Sequence, residues 1–161
     1  MCSSDLPDTV LDSVLRQELG VSEWSQLVAR VYGGDLDRAR IAALAPLVLQ
    51  AAKEGDAVAM SVVDGAVLGL SGQIAAVARR LHADGRARLA YSGGVVVGSS
   101  LLREKIGRQL AAQGCIVENA PLRLAPVLGA ALLAWEHVGV KLEAVAVDVL
   151  AGSGRALLAE T

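Results

Sequence analysis

Phenylalanine is absent, and two tryptophans and two tyrosines supply the whole aromatic content, 2% of 161 residues. The apolar fraction of 53% must therefore build its core from Ala, Leu and Val, with glycine between them, at little bulk per residue. Cores of that kind need close backbone approach between helices, against a partner surface as much as within the chain. Cysteine is equally scarce. Cys2 and Cys115 lie far apart, which excludes a disulfide framework and a cysteine metal centre. Cys115, in an apolar strand-like run, is expected to be a small buried hydrophobe. His82 and His137 have no cysteine or acidic residue at ligand spacing and read as helix-end residues. No charge of one sign dominates: the net charge is −2, so there is no electrostatic case for nucleic acid or for an anionic membrane surface. The pairs Arg38/Arg40 and Arg79/Arg80 read as solvated helix faces. No unbroken apolar run reaches the roughly 18 residues of a membrane span, and no charged-then-apolar signal opens the chain. A cytoplasmic protein with no nucleic-acid or membrane partner is the expectation.

The length suits a single domain with a core of its own. Codons TGC TCT TCC GAT CT, which spell Cys-Ser-Ser-Asp-Leu, resemble the end of a sequencing adapter. Residues 1–6 are accordingly expected to be a non-native leader, and 7–161 the folded segment. Val10, Leu11, Val14 and Leu15 recur at helical spacing between Pro7, suited to a first turn, and Gly20, suited to a stop. Ser22 is placed to cap a second helix carrying Trp24, Leu27, Val28 and Val31, which Gly33-Gly34 ends. From Asp37 to Ala52 the composition is helical except for Pro46, which removes a backbone donor and predicts two short helices or a kink. Gly55-Asp56 reads as a helix stop followed directly by an N-cap.

Ala57 to Leu81 carries the strongest periodicity. Val63, Ala66-Val67, Leu70, Ile74, Val77 and Leu81 mark the expected buried stripe of one long helix. Gly65, Gly69 and Gly72 weaken it by up to about 1 kcal/mol each relative to Ala, and make sense if another element crosses closely there. Asp84-Gly85 then turns the chain into a strand, Arg86 to Ser92. A helix from Ser100 to Ala112 stops at Gly114, a second strand covers Cys115 to Glu118, and a last helix follows Pro126. Strand, helix, strand, helix in this order implies a crossover between two parallel strands. Ala144 to Leu150 alternates like a strand and is compatible with a helix. The fold class is therefore α/β and helix-rich, with two parallel strands and flanking helices.

Ser92-Gly93-Gly94 falls at the carboxyl end of the first strand, where open α/β sheets bind ligands. Missing side chains let a flat ring or a phosphate approach the main chain, and the helix opening at Ser99-Ser100 adds free N–H groups. The spacing of Gly93, Gly94 and Gly98 is not the dinucleotide fingerprint, and no Gly-Lys-Ser/Thr follows to make a P-loop. On these residues alone a plain tight turn competes with a ligand cradle.

Three ordered segments carry a resemblance: "IAALAPLVLQAAKEGDAVA" (Ile41–Ala59), "LAYSGGVVVGSSLLRE" (Leu89–Glu104) and "APVLGAALLA" (Ala125–Ala134). Together they resemble the C-terminal half of the BadF/BadG/BcrA/BcrD-type ATPase family, and within it the bacterial N-acetylglucosamine kinases, over roughly Trp24 to Trp135. The resemblance implies a partial ribonuclease H-like lobe of the actin, sugar kinase and heat-shock chaperone superfamily, a C-terminal fragment whose N-terminal lobe is missing. It implies ATP or ADP with Mg²⁺ as cofactors, an amino sugar such as N-acetylglucosamine as substrate, and leaves a homodimer open. It assigns the adenosine contact to Gly93 and Gly94, with Val95 as an apolar neighbour, and places Pro126, Gly129 and Ala130 in packing beneath the nucleotide.

The same family carries an Asp-Gly-Gly-Gly-Thr phosphate loop, a catalytic aspartate and a second phosphate loop, and none of these occurs here. Asp64, Asp84 and Asp148 are expected to stand in helix, turn and tail without partners. No catalytic residue and no Mg²⁺ ligand is therefore assigned, and the chain is expected to be inactive alone. Two other readings stand beside the kinase: the activator ATPase of an acyl-CoA dehydratase, which needs cluster-ligating cysteines, and a non-enzymatic helical interaction domain.

Overall fold

A computed structural model describes residues 8–34, 36–81, 86–122, 124–140, 148–150 and 152. The expected leader 1–6, Asp84, His82 and most of the ambiguous tail lie outside the described residues, although Asp148–Leu150 is helical. The chain divides into two compact units, one of Met1–Ala87 with Gly93–Val117, the other of Arg88–Ser92 with Glu118–Thr161.

In the first unit the breaks fall where the backbone chemistry demands them. Helix α1 (Leu11–Leu19) ends on Gly20, whose φ of 62° closes the C-terminal turn. It begins later than Pro7, and its start is tied by Asp56, as described below. Helix α2 (Ser25–Tyr32) begins after Trp24, and Ser22 is not its cap. The Ser22 amide instead donates to Gln26 Oε1 at 3.0 Å. Pro46 divides the next stretch as expected: α3 (Arg38–Ala42) is capped by the Asp37 carboxylate, and α4 (Ala45–Lys53) carries the proline in its first turn. Gly55 stops α4 with a φ of 97°. Asp56 then caps α5 (Ala57–Leu81) by accepting from the Ala59 amide at 2.8 Å.

Helix α5 is the spine of this unit, packed along α4 on one side and on the other α7 (Ser100–Ala112). Its buried stripe is not the one its larger side chains suggest. Ala59, Val63, Val67, Ser71, Ala75 and Ala78 are buried, whereas Leu70, Val77 and Leu81 are exposed. Steps of four select a face of small residues because small side chains let α4 and α7 come close. Gly65, Gly69 and Gly72 fall on the opposite face of the helix. The close crossing expected there is not found: among the described residues a Cβ on any of them would meet nothing within 4 Å. By length, and at a mean hydropathy of 1.5 over its most apolar 18 residues, α5 could cross a bilayer, although Asp64, Gln73 and its serines break up its apolar runs.

Leu102, Ile106 and Leu110 of α7 are buried at the same four-residue spacing. Two charged residues expected to be solitary or solvated are engaged at this seam. Asp64 pairs with Lys105 at 2.6 Å, and Arg79 donates to the Gln113 carbonyl at 3.1 Å. Asp148, in the second unit, also has a partner. A separate small cluster of Leu19, Val21 and Leu36 gathers Leu27 and Leu44 at the end of α1.

Strands β1 (Arg86–Leu89) and β2 (Ile116–Asn119) pair in parallel and give the helix-rich α/β class expected. The Ala120 amide extends the pairing to the Leu89 carbonyl at 2.8 Å. β1 is three residues shorter than expected, because the chain leaves the ladder before Ser92. Cys115 immediately precedes β2 and is buried, the small hydrophobe anticipated. In the second unit α8 (Pro126–His137) starts on Pro126 and ends on His137, yet buries none of its residues. The packing expected of Pro126, Gly129 and Ala130 thus has no buried counterpart among the described residues.

Candidate functional site

The run Gly93–Ser99 is more structured than a tight turn. Gly93 adopts φ 95° and ψ 141°, a region that only glycine enters without strain. It serves as the N-cap of a five-residue helix, α6 (Gly94–Gly98), which the sequence reading did not anticipate. Three consecutive valines are poor helix formers, so nothing in the composition announces it. Ser99 then becomes extended, with φ −113°, and ends α6 while starting α7. Its buried hydroxyl accepts from the Leu102 amide at 3.2 Å.

Against this run lies α4. Pro46, Leu49, Gln50 and Lys53 from α4 face Gly94, Val95, Gly98 and Ser99 across a cavity of about 250 Å³. A Cβ on Gly94 or Gly98 would meet nothing within 4 Å, so their missing side chains are open space. Leu49, Pro46 and Val95 give the cavity an apolar wall, and among the described residues Lys53 is the one charged residue that lines it. The first amides of α7, beside Ser99, add a partial positive charge to that of Lys53. Gln50 donates from Nε2 to Glu54 Oε1 at 2.6 Å, which leaves its own carbonyl oxygen as an acceptor. An adjoining cavity of about 340 Å³ shares Leu49 and Val95 as a common wall and is otherwise lined by aliphatic side chains of α1, α3, α4, α5 and α7.

The three residues assigned to adenosine therefore fall in one place with different parts. Gly94 and Val95 line the cavity, while Gly93 shapes the backbone that delivers them. Sequence reasoning missed the opposite wall. Pro46, Leu49, Gln50 and Lys53 all lie within the segment Ile41–Ala59 singled out by resemblance, and a pattern of Leu49, Gln50 and Lys53 on one helical face was there to be read. It also missed Arg103, which hydrogen bonds to the carbonyls of Val96 and Val97, at 2.8 Å to the former. Among the described residues no group of three or more His, Cys, Asp or Glu side chains is placed to hold a metal ion. No family model and no curated protein matches the chain.

Proposed function

We propose that this chain is the adenosine-binding part of an ATP-dependent kinase acting on an amino sugar such as N-acetylglucosamine, a cytoplasmic enzyme of the BadF/BadG/BcrA/BcrD type. The observation that carries the reading is the 250 Å³ cavity in which the open faces of Gly94 and Gly98 stand across from Leu49 and Pro46, with Lys53 adding a positive charge to the lining. Apolar walls suit the faces of a purine, bare glycine backbone admits it closely, and a cationic rim beside the positive end of the α7 dipole suits an anionic ligand. ATP or ADP meets all three conditions. The resemblance of the three segments to amino-sugar kinases selects the acceptor class, and a partial ribonuclease H-like lobe is the frame it supplies.

In this reading a companion lobe supplies the phosphate loops, the general base and the Mg²⁺ ligands, and the acceptor sugar binds largely there. The acyl-CoA dehydratase activator is less well supported, because Cys115 is buried at the foot of β2 rather than presented at a surface where a shared cluster would sit.

The test is nucleotide titration of the full-length protein. Gly94 has no positive φ, so Gly94→Val adds a side chain to the cavity without backbone strain. It should raise the ATP dissociation constant by at least about tenfold, roughly 1.4 kcal/mol, while amino-sugar binding changes much less. Gly98→Ala, on the same wall with room for a methyl group, is the control and should have the smaller effect. Unchanged ATP affinity in a folded Gly94→Val protein would overturn the adenosine reading.

A further inference from the structure

Helix α6 is poorly self-supporting. Five residues are too few to offset the cost of helix nucleation, and Val95–Val97 lose side-chain freedom in a helix. The last four carbonyls of any helix lack partners within it, which in α6 is nearly every carbonyl it has. None of its residues is buried to anchor it. The run nevertheless delivers Gly94, Val95 and Gly98 to the cavity wall.

Arg103 supplies the missing hold. It lies one turn into α7, its own amide donating to the Ser99 carbonyl at 3.3 Å. From there Nη1 reaches back and donates to the Val96 carbonyl at 2.8 Å and to the Val97 carbonyl. A terminal guanidinium nitrogen carries two hydrogens, so one for each carbonyl is available, and both bonds are charge-assisted. The position is unfavourable for a cation in other respects, since a positive charge in the first turn of a helix opposes the helix dipole. Its neighbour Glu104 pairs with Arg108 at 3.4 Å instead. Arg103 does not line the cavity.

We propose that Arg103 is a positioning residue, which by holding the carbonyls of Val96 and Val97 fixes the Gly94–Gly98 turn in the form that a nucleotide meets. This rests on the adenosine reading of the cavity. Loss of the guanidinium frees α6 to unwind or rotate, carrying Gly94 and Val95 off the wall while the buried residues of α7 stay in place.

The experiment uses the full-length protein with Arg103→Met, which keeps the aliphatic stem without donors, and Arg103→Lys, which keeps a cation with donors. Amide hydrogen exchange is followed without nucleotide, and ATP affinity is measured separately. In Arg103→Met, exchange at the Val97 amide, which donates to the Gly93 carbonyl at 3.0 Å, should accelerate by about tenfold or more, with the Ile106 and Leu110 amides unchanged. The ATP dissociation constant should rise by about tenfold, and Arg103→Lys should recover part of both effects. Unchanged exchange at the Val97 amide would overturn the brace, and acceleration extending to Ile106 and Leu110 would reduce Arg103 to a general stabiliser. Accelerated exchange with ATP affinity intact would overturn the positioning role. Gly94→Val alongside then separates the two ideas: if it still weakens ATP the adenosine reading survives, and if it does not, both fall. Absence of ATP binding by the unmodified protein would overturn both at once.

Discussion

Helices α6 and α7 meet at Ser99 and are held by opposite means. α7 has thirteen residues, a serine cap and three buried aliphatic side chains at four-residue spacing against α5. α6 has five residues, three of them valine, no buried side chain, and glycine at each end. One is secured by a core, the other by a single guanidinium reaching back from its neighbour. α6 supplies Gly94, Val95 and Gly98 to the cavity lining and is the element left open to it. The contrast predicts that damage to α7 spreads through the first unit, whereas damage to the α6 brace remains local.

The largest effect that sharpens this contrast is expected at Ile106. It is 1% exposed and stands mid-way along the buried stripe of α7. Ile106→Ala should cost about 2–5 kcal/mol through lost burial and the cavity left behind. The loss should appear as a lower thermal midpoint and faster exchange throughout α5 and α7. On the proposed adenosine reading, the fraction that remains folded should bind ATP with nearly unchanged affinity, the reverse of the pattern expected for Arg103→Met. A locally confined response to Ile106→Ala would erase the distinction between the two helices.

A smaller effect is expected at their junction. The Ser99 hydroxyl accepts the Leu102 amide and is buried. Ser99→Ala should destabilise α7 by about 0.5–2 kcal/mol, the usual range for a lost N-cap. Chemical denaturation gives the number directly. Ser99→Thr keeps an acceptor and should recover much of the loss; failure to do so would point to the crowded site rather than the hydrogen bond.

The same division explains what was legible in the sequence. Elements whose ends are fixed by local chemistry were readable: Gly20 and Gly55 as stops, Pro46 as a break, Asp56 as a cap, and α5 and α7 at their observed limits. The inward face of α5 was readable only in part: Val63 and Val67 are buried as expected, but in a chain without phenylalanine close approach of Ala59, Ala75 and Ala78 outweighs the bulk of Leu70 and Leu81. Gly93 and Gly94 stood out as a place for close approach, but their different parts depended on a φ value that no residue pattern encodes. The hold on α6 comes from a side chain beyond the turn, and the far wall from α4, more than forty residues upstream. The shared face of Leu49, Gln50 and Lys53 is visible in the sequence, but nothing in that pattern names the segment it faces.

Asp56 provides a second case of one side chain holding an otherwise weak start, and the smallest effect expected. Its Oδ1 accepts from the Ala59 amide at 2.8 Å, while Oδ2 accepts from the Thr9 hydroxyl and the Val10 amide, each at 2.8 Å. The carboxylate thus caps α5 and clasps the entry to α1. These bonds, the Ala59 amide foremost, favour the ionised form and lower the carboxyl pKa below its ordinary 3.8 against the opposing effect of desolvation. The sign follows from linkage. A carboxyl whose pKa is depressed on folding contributes stability fully above its unfolded pKa and loses it as pH falls through the folded value. The difference in thermal midpoint between the unmodified protein and Asp56→Asn should therefore be constant near neutrality and shrink once the pH drops below 3.8. Exchange at the first amides of α1 and α5 should accelerate in the variant, with α7 unaffected. A midpoint difference that persists unchanged through the acid range would show that the charge contributes nothing to the clasp, the loss then coming from the second acceptor oxygen, which asparagine replaces with a donor.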